Sequence, residues 1–414
     1  MHFFDALKAS VVAVLLWLPA GVLAAPSRDS TASPDAQSER VPIHTLWTAR
    51  NGSGFGKHYL KLQLASDQSQ IFSADWRGKV TAFDSKSGQE RWQTEIDEHI
   101  TGGLYYRDNT VLLGTDEASL IALNAADGAV RWRQRLSSEI LGSPLLERGV
   151  VVVQTNDGKV FGLDANSGKT LWTEQRTVPV LTLRGTNSPV AAGNGMVVTG
   201  FASGKLVALD IANGSVLWEL AVAFPQGRSE LKRIVDIDAE ALIDQQVVYA
   251  VAYHGRLVAV DLAQGRMLWS KDLSSYAGMT FDERFIYVSD ADGAVHAIDR
   301  QSGVAVWKQD QLGAKLLTKP TVYQNYLVLG DQQGNLYWLD RQTGAKAAQM
   351  TLQYVIDHYY GLDLDVWDDY NRSGLPDHYT VVTGLTVPPL SVEDMLVATD
   401  NKGRVVAFNL SQEH

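Results

Sequence analysis

The residue types able to do chemistry are present in this chain, but their spacing does not fit a reactive centre. Asp363-x-Asp365 begins like a calcium loop, which sets alternate carboxylates around a hard cation. Trp367 then occupies a ligand position, the turn glycine comes only at Gly374, and no Glu closes the loop. The histidines, His2, His44, His58, His99, His254, His296, His358, His378 and His414, share no ligand spacing. Cysteine is absent, so neither a thiolate nucleophile nor a disulfide is available. Glycines such as Gly158 and Gly293 punctuate turns rather than cradle a phosphate. The expectation is no catalytic residue, no metal and no cofactor.

The elements that must position any contact residue are set by a repeated phrase, Ala-apolar-Asp-x3-Gly-x3-Trp. It begins at Ala82-Phe83-Asp84 with Gly88 and Trp92, then Ala122-Leu123-Asn124 with Gly128 and Trp132. Gly162-Leu163-Asp164 with Gly168 and Trp172, and Ala208-Leu209-Asp210 with Gly214 and Trp218, follow. Next come Ala259-Val260-Asp261 with Gly265 and Trp269, and Ala297-Ile298-Asp299 with Gly303 and Trp307. The seventh copy, Trp338-Leu339-Asp340 with Gly344, has Ala348 in place of Trp, and the eighth stops at Ala407-Phe408-Asn409. Successive glycines lie 40, 40, 46, 51, 38 and 41 residues apart, the period of a four-stranded blade.

Within the phrase, alternation makes a strand, Asp accepts from turn amides, and Gly supplies the positive φ that closes a hairpin. Trp on the returning strand is placed to fill the gap between neighbouring blades. The eighth copy lacks a Trp strand, while Leu46-Trp47 stands unmatched near the start. The prediction is an all-β, eight-bladed β-propeller of four-stranded blades, closed by pairing the N- and C-terminal strands. Closure of this kind removes the long exposed edges that invite aggregation.

Around this ring, residues 1–24 read as a secretory signal: Lys8, the apolar run Ala9 to Leu18, Pro19, and small residues up to Ala24-Ala25. Residues 25–41, rich in Ser, Asp and Pro, read as a flexible tether, and 42–414 as the propeller. Asp340 and Asn409 are 69 residues apart instead of one period, which predicts an insertion at about 355–387. Tyr359, Tyr360, Asp363, Asp365, Trp367 and Asp368 make that insertion acidic and aromatic, either a decoration beside the last blade or a contact surface. A net charge of -11, from 36 basic and 47 acidic residues, disfavours nucleic acid and anionic lipid as partners.

The phrase resembles the pyrroloquinoline-quinone-type propeller repeat. Two further segments, Val180-Leu181-Thr182-Leu183-Arg184-Gly185 and Arg233-Ile234-Val235-Asp236-Ile237-Asp238, make the chain similar to the BamB family, propeller subunits of the outer-membrane β-barrel assembly machinery. The likeness runs from Ile43 to Leu352 and through the last strands. It implies a non-enzymatic periplasmic scaffold, a monomer within a complex, associated with the outer membrane through its partner and aiding barrel folding and insertion. The implied partner is the periplasmic part of the central barrel protein, BamA, with unfolded outer-membrane proteins as a further one. Carried over by position, the partner-binding residues are Leu181, Leu183, Arg184, Asp236 and Asp238. Their chemistry suits a contact: leucines give apolar anchor area, Arg a fork for a carboxylate or carbonyl, and the acids charge complementarity.

On residues alone, other readings stay open. Leu181 and Leu183 also alternate as the inner face of a strand would, and Arg184 can pair with Asp236 or Asp238 inside the protein. Quinoprotein dehydrogenases share the repeat, and a soluble paralogue with another partner is the third alternative. BamB proteins are usually lipoproteins, whereas the signal here carries no lipobox cysteine, so anchoring falls to the partner.

Overall fold

The Asp of each phrase builds the turn that ends it. Asp84 Oδ1 accepts from the amides of Lys86 (3.1 Å) and Ser87 (2.9 Å), and Gly88 turns at φ +69° with its amide on the Asp84 carbonyl, 2.9 Å away. Asp164, Asp299 and Asp340 repeat this arrangement. The carboxylate therefore satisfies backbone donors that an open hairpin would leave to water.

The computed structural model describes residues 41–410 apart from 57, 59, 180, 183–186, 227, 230–232, 315 and 354–383. Among these residues the strands form eight four-stranded antiparallel sheets, the blades of one ring. Blades 1 to 7, numbered in chain order from the one holding Asp84, are each continuous in sequence. Blade 8 joins Leu390–Val392, Met395–Thr399 and Arg404–Leu410 to the N-terminal strand Ile43–Arg50, with Trp47 opposite Ala407. The all-β, eight-bladed ring closed by its terminal strands is thus the observed architecture. The expected signal 1–24 and most of the tether lie outside the described residues. Val41, the tether's last position, packs against the core shared by blades 7 and 8.

Each Trp locks its blade to the next through two contacts. The indole N–H of Trp92 donates to the Ala125 carbonyl (2.8 Å), Trp132 to Ala165 (2.8 Å), Trp172 to Ile211 (2.8 Å) and Trp218 to Leu262 (2.7 Å). Trp47 closes the ring in the same way on Ser85, 2.7 Å. The indole face lies on the turn glycine of the next blade, and a Cβ on Gly168 would sit 2.6 Å from the Trp132 ring. Gly is therefore required twice, for its φ of +70° and for this approach. Burying a side chain of this size contributes roughly 2–3 kcal/mol, an upper estimate because the unfolded chain is itself partly collapsed.

The first strand of each blade lines the axis, and the second and third strands are buried almost throughout. Segments that leave the outermost strand of one blade for the innermost strand of the next meet the turns between second and third strands. Ile96 N on Gly78 O, Leu136 N on Ala118 O, Arg176 N on Gly158 O and Val222 N on Gly204 O mark these meetings at 2.7–3.0 Å. These four linking segments consequently emerge on one face of the ring. Of the expected insertion 355–387, residues 384–387 are described, and Leu385 and Val387 are buried in the ring. The remainder lies outside the described residues.

Candidate partner interface

The two segments singled out in the sequence link consecutive blades. The first runs from the end of Thr170–Gln175 in blade 3 to Val190–Ala191 in blade 4. The second runs from Val216–Ala221 in blade 4 to Leu242–Asp244 in blade 5. Leu181 projects from the first segment with 45% of its surface exposed, which sets aside the inner-strand reading for that residue. Leu183 and Arg184 lie outside the described residues.

Asp236 and Asp238 lie deep. Asp236 is 2% and Asp238 8% exposed. The amide of Tyr253, on the turn between the second and third strands of blade 5, donates to the Asp236 carbonyl at 2.7 Å, an isolated β-bridge. Although two positions apart, the two residues border different cavities. Asp236 borders a space of about 20 Å³ with Thr182, Asn187, Gln154 and Phe201. Asp238 borders one of about 70 Å³ at the axis, with Lys61, Gln63, Ser143, Glu240 and Lys319. Burial pushes the Asp238 carboxyl above the usual carboxylate range, and the Lys61 ammonium opposes that shift without removing it.

A residue that sequence reasoning missed ties the segments together. Asn187, 2% exposed on the first segment, donates its side-chain amide to the carbonyls of Ile237 (3.0 Å) and Ala239 (2.5 Å) on the second. Its own oxygen accepts from Thr199 Oγ1 at 3.3 Å, and that hydroxyl also reaches Gln154 Oε1 at 2.9 Å. Ile237 between the two acids is fully buried against Gly200, where a Cβ would meet its Cγ2 at 2.4 Å. The clamp holds Asp236-Ile237-Asp238 in one place relative to the Leu181 segment. Nothing in the sequence marks Asn187, because its partners are backbone carbonyls fifty or more residues away.

Among the described residues no three His, Asp or Glu side chains approach closely enough to share a metal ion. Asp363-x-Asp365 lies outside them. No described helix is long and apolar enough to cross a membrane.

Fold and repeat define the class, an eight-bladed propeller built from pyrroloquinoline-quinone-type repeats. Residues 76–309 match the family model described as outer membrane protein assembly factor BamB. The Pseudomonas aeruginosa protein of that name is 44% identical over 336 residues, covering 80% of this chain and 88% of its own length. Its Escherichia coli counterpart is 32% identical over 326 residues, covering 76% and 83%. The crystal structure of BamB from Moraxella catarrhalis superposes with a TM-score of 0.76 at 27% identity, over 89% of this chain and 100% of that one. The chain belongs to the BamB family. Quinohemoprotein alcohol dehydrogenase from Comamonas testosteroni, TM-score 0.69 at 13% identity over 92% of this chain and 78% of its own, shares the fold alone. The curated relatives are assembly factors, and this member of their family is non-enzymatic.

Proposed function

We propose that this chain is a scaffold subunit of the outer-membrane protein assembly machinery, exported to the periplasm and held at the outer membrane through its partner. It binds the periplasmic domains of a BamA-like barrel assembly protein and aids folding and insertion of β-barrel proteins by bringing unfolded chains close to that partner. The observation that carries this reading is the Asn187 clamp, which fixes two linking segments relative to each other while leaving Leu181 exposed. A surface ordered before binding loses less conformational entropy on association.

The five carried-over positions divide by role in this reading. Leu181, exposed on the first segment, offers an apolar anchor, Leu183 a second one by its residue type, and Arg184 a fork for a partner carboxylate or carbonyl. Asp236 and Asp238 act from beneath by setting the shape and charge of the second segment. Calorimetric titration of residues 25–414 against the periplasmic domains of the host's own barrel assembly protein tests this. Wild type is expected to bind, and Leu181→Asp to bind at least tenfold more weakly. Absence of wild-type binding at tens of micromolar would sink the reading.

A further inference from the structure

We propose that the partner surface extends beyond the two segments to a shelf formed by Phe224 and Arg256, which accepts a partner carboxylate flanked by an apolar side chain. The inference rests on the interface reading above. Phe224 is 55% exposed and is the one exposed Phe, Tyr or Trp among the described residues. An isolated apolar residue at a surface would need no explanation. This one is held in place.

Three observations fix it. Val222 and Ala223, immediately before it, are 1% and 4% exposed, and a Cβ on Gly204 would meet the Ala223 carbonyl at 2.7 Å. Pro225 follows directly, restricting the Phe224 backbone to extended conformations. Finally, the Arg256 guanidinium lies 5.9 Å from the centre of the Phe224 ring. That guanidinium is anchored in turn, with Nε donating to the Val222 carbonyl at 3.0 Å and a terminal nitrogen to Ala221 at 3.4 Å.

The shelf is continuous with the proposed interface through a single turn. Tyr253 carries the main-chain bridge to Asp236, and His254 stacks on Tyr253 at 4.0 Å while its Nδ1 lies 3.0 Å from the Ile234 carbonyl. Arg256 is two residues further on and reaches Phe224. Thr182, next to Leu181, borders the same small cavity as Asp236. The resulting track runs from Leu181 past Asp236 and Tyr253 to Phe224.

Its charge selects the occupant. Among the described residues Arg256 forms no ion pair, since its bonds go to neutral carbonyls. A cation beside an aromatic face suits a carboxylate on one side and an aliphatic or aromatic side chain on the other. An approaching Lys or Arg would meet repulsion instead.

The test is calorimetry of residues 25–414 against the partner's periplasmic domains, with wild type, Leu181→Asp, Phe224→Ser and Phe224→Trp, each first checked for an unchanged melting temperature. The shelf is supported if Phe224→Ser weakens binding at least fivefold and Phe224→Trp stays within twofold of wild type. Wild-type affinity in Phe224→Ser, with Leu181→Asp weakened, would overturn the shelf and leave the interface reading standing. No binding by wild type would overturn both.

Discussion

Trp338 stands directly opposite Ala348 in blade 7, the reverse of every complete copy of the phrase, where Ala82 faces Trp92 and Ala122 faces Trp132. The large and the small partner have exchanged strands. Trp338 is fully buried and meets Phe408 of blade 8 at 5.7 Å, with Tyr323 and Tyr326 edge-on at 6.1 and 6.0 Å. The junction between blades 7 and 8 is thus filled from the third strand instead of the fourth. One consequence is visible at the indole nitrogen, which has no hydrogen-bond partner among the described residues.

That exchange makes Trp338 the critical side chain of the junction between blades 7 and 8. Trp338→Ala should cost about 3–5 kcal/mol, the range for emptying a large aromatic site. Trp338→Phe should cost far less, because it discards an unsatisfied N–H as well as volume. Urea unfolding followed by circular dichroism checks both, and equal losses in the two variants would show that the junction does not depend on ring volume.

At the other junctions the turn glycine is the sensitive position. Gly168→Ala places a methyl 2.6 Å from the Trp132 ring at a φ of +70°. Both strain and clash act, so the loss should exceed about 1 kcal/mol. Displacement of the indole from its buried seat should also shift tryptophan emission to the red. Gly149→Ala is a control for φ alone, since its added Cβ meets nothing within 4 Å and its φ is +75°.

Much of this architecture was legible because the phrase reports contacts made inside one hairpin or with the adjacent blade. Asp84, Gly88 and Trp92 each perform a job that their residue type announces, and Trp47 could be assigned to blade 8 because the eighth copy lacked a Trp strand while Leu46-Trp47 stood unmatched near the start. In the seventh copy Trp338 and Ala348 both stood out as departures, yet only strand register shows that they compensate each other. The linking segments were harder. Alternation along Asp236-Ile237-Asp238 predicts a shared direction for the two acids, whereas their depth and their separate cavities depend on Asn187, Tyr253 and Lys61, all distant in sequence. Exposure of Phe224 likewise follows from what the neighbouring blade leaves uncovered.

Asn187 should prove more important for binding than its burial suggests. Asn187→Ala leaves the Ile237 and Ala239 carbonyls without their donor, a loss of about 1–3 kcal/mol in stability for each buried group left unpaired. The ring should remain folded, since inter-blade Trp contacts are untouched. Affinity for the partner should fall because the second segment must then be ordered on association. Hydrogen exchange at residues 233–241 measures that directly, and unchanged protection there would refute the clamp.

Acid should act on two sets of carboxylates with opposite sign. In the turns, Arg91 and then Ser87 hold the Asp84 carboxyl well below its ordinary value, and the Ser167 and Ser302 hydroxyls lower Asp164 and Asp299. A lowered folded pKa means the unfolded chain binds protons first, so this stabilisation is complete above about pH 4 and is lost as pH falls toward the folded values. Asp238 behaves in reverse, because burial raises its folded pKa above the unfolded one. Between those two values the folded state holds the extra proton, so its effect on stability becomes less favourable as pH rises from about 4 through the folded value. Asp238→Asn, which is neutral at every pH, should therefore melt higher than wild type at pH 7, with the gap closing as pH approaches 4. A gap independent of pH would mean that the Asp238 carboxylate is fully compensated in the folded ring, with the Lys61 ammonium, which already opposes the shift, as the cationic candidate.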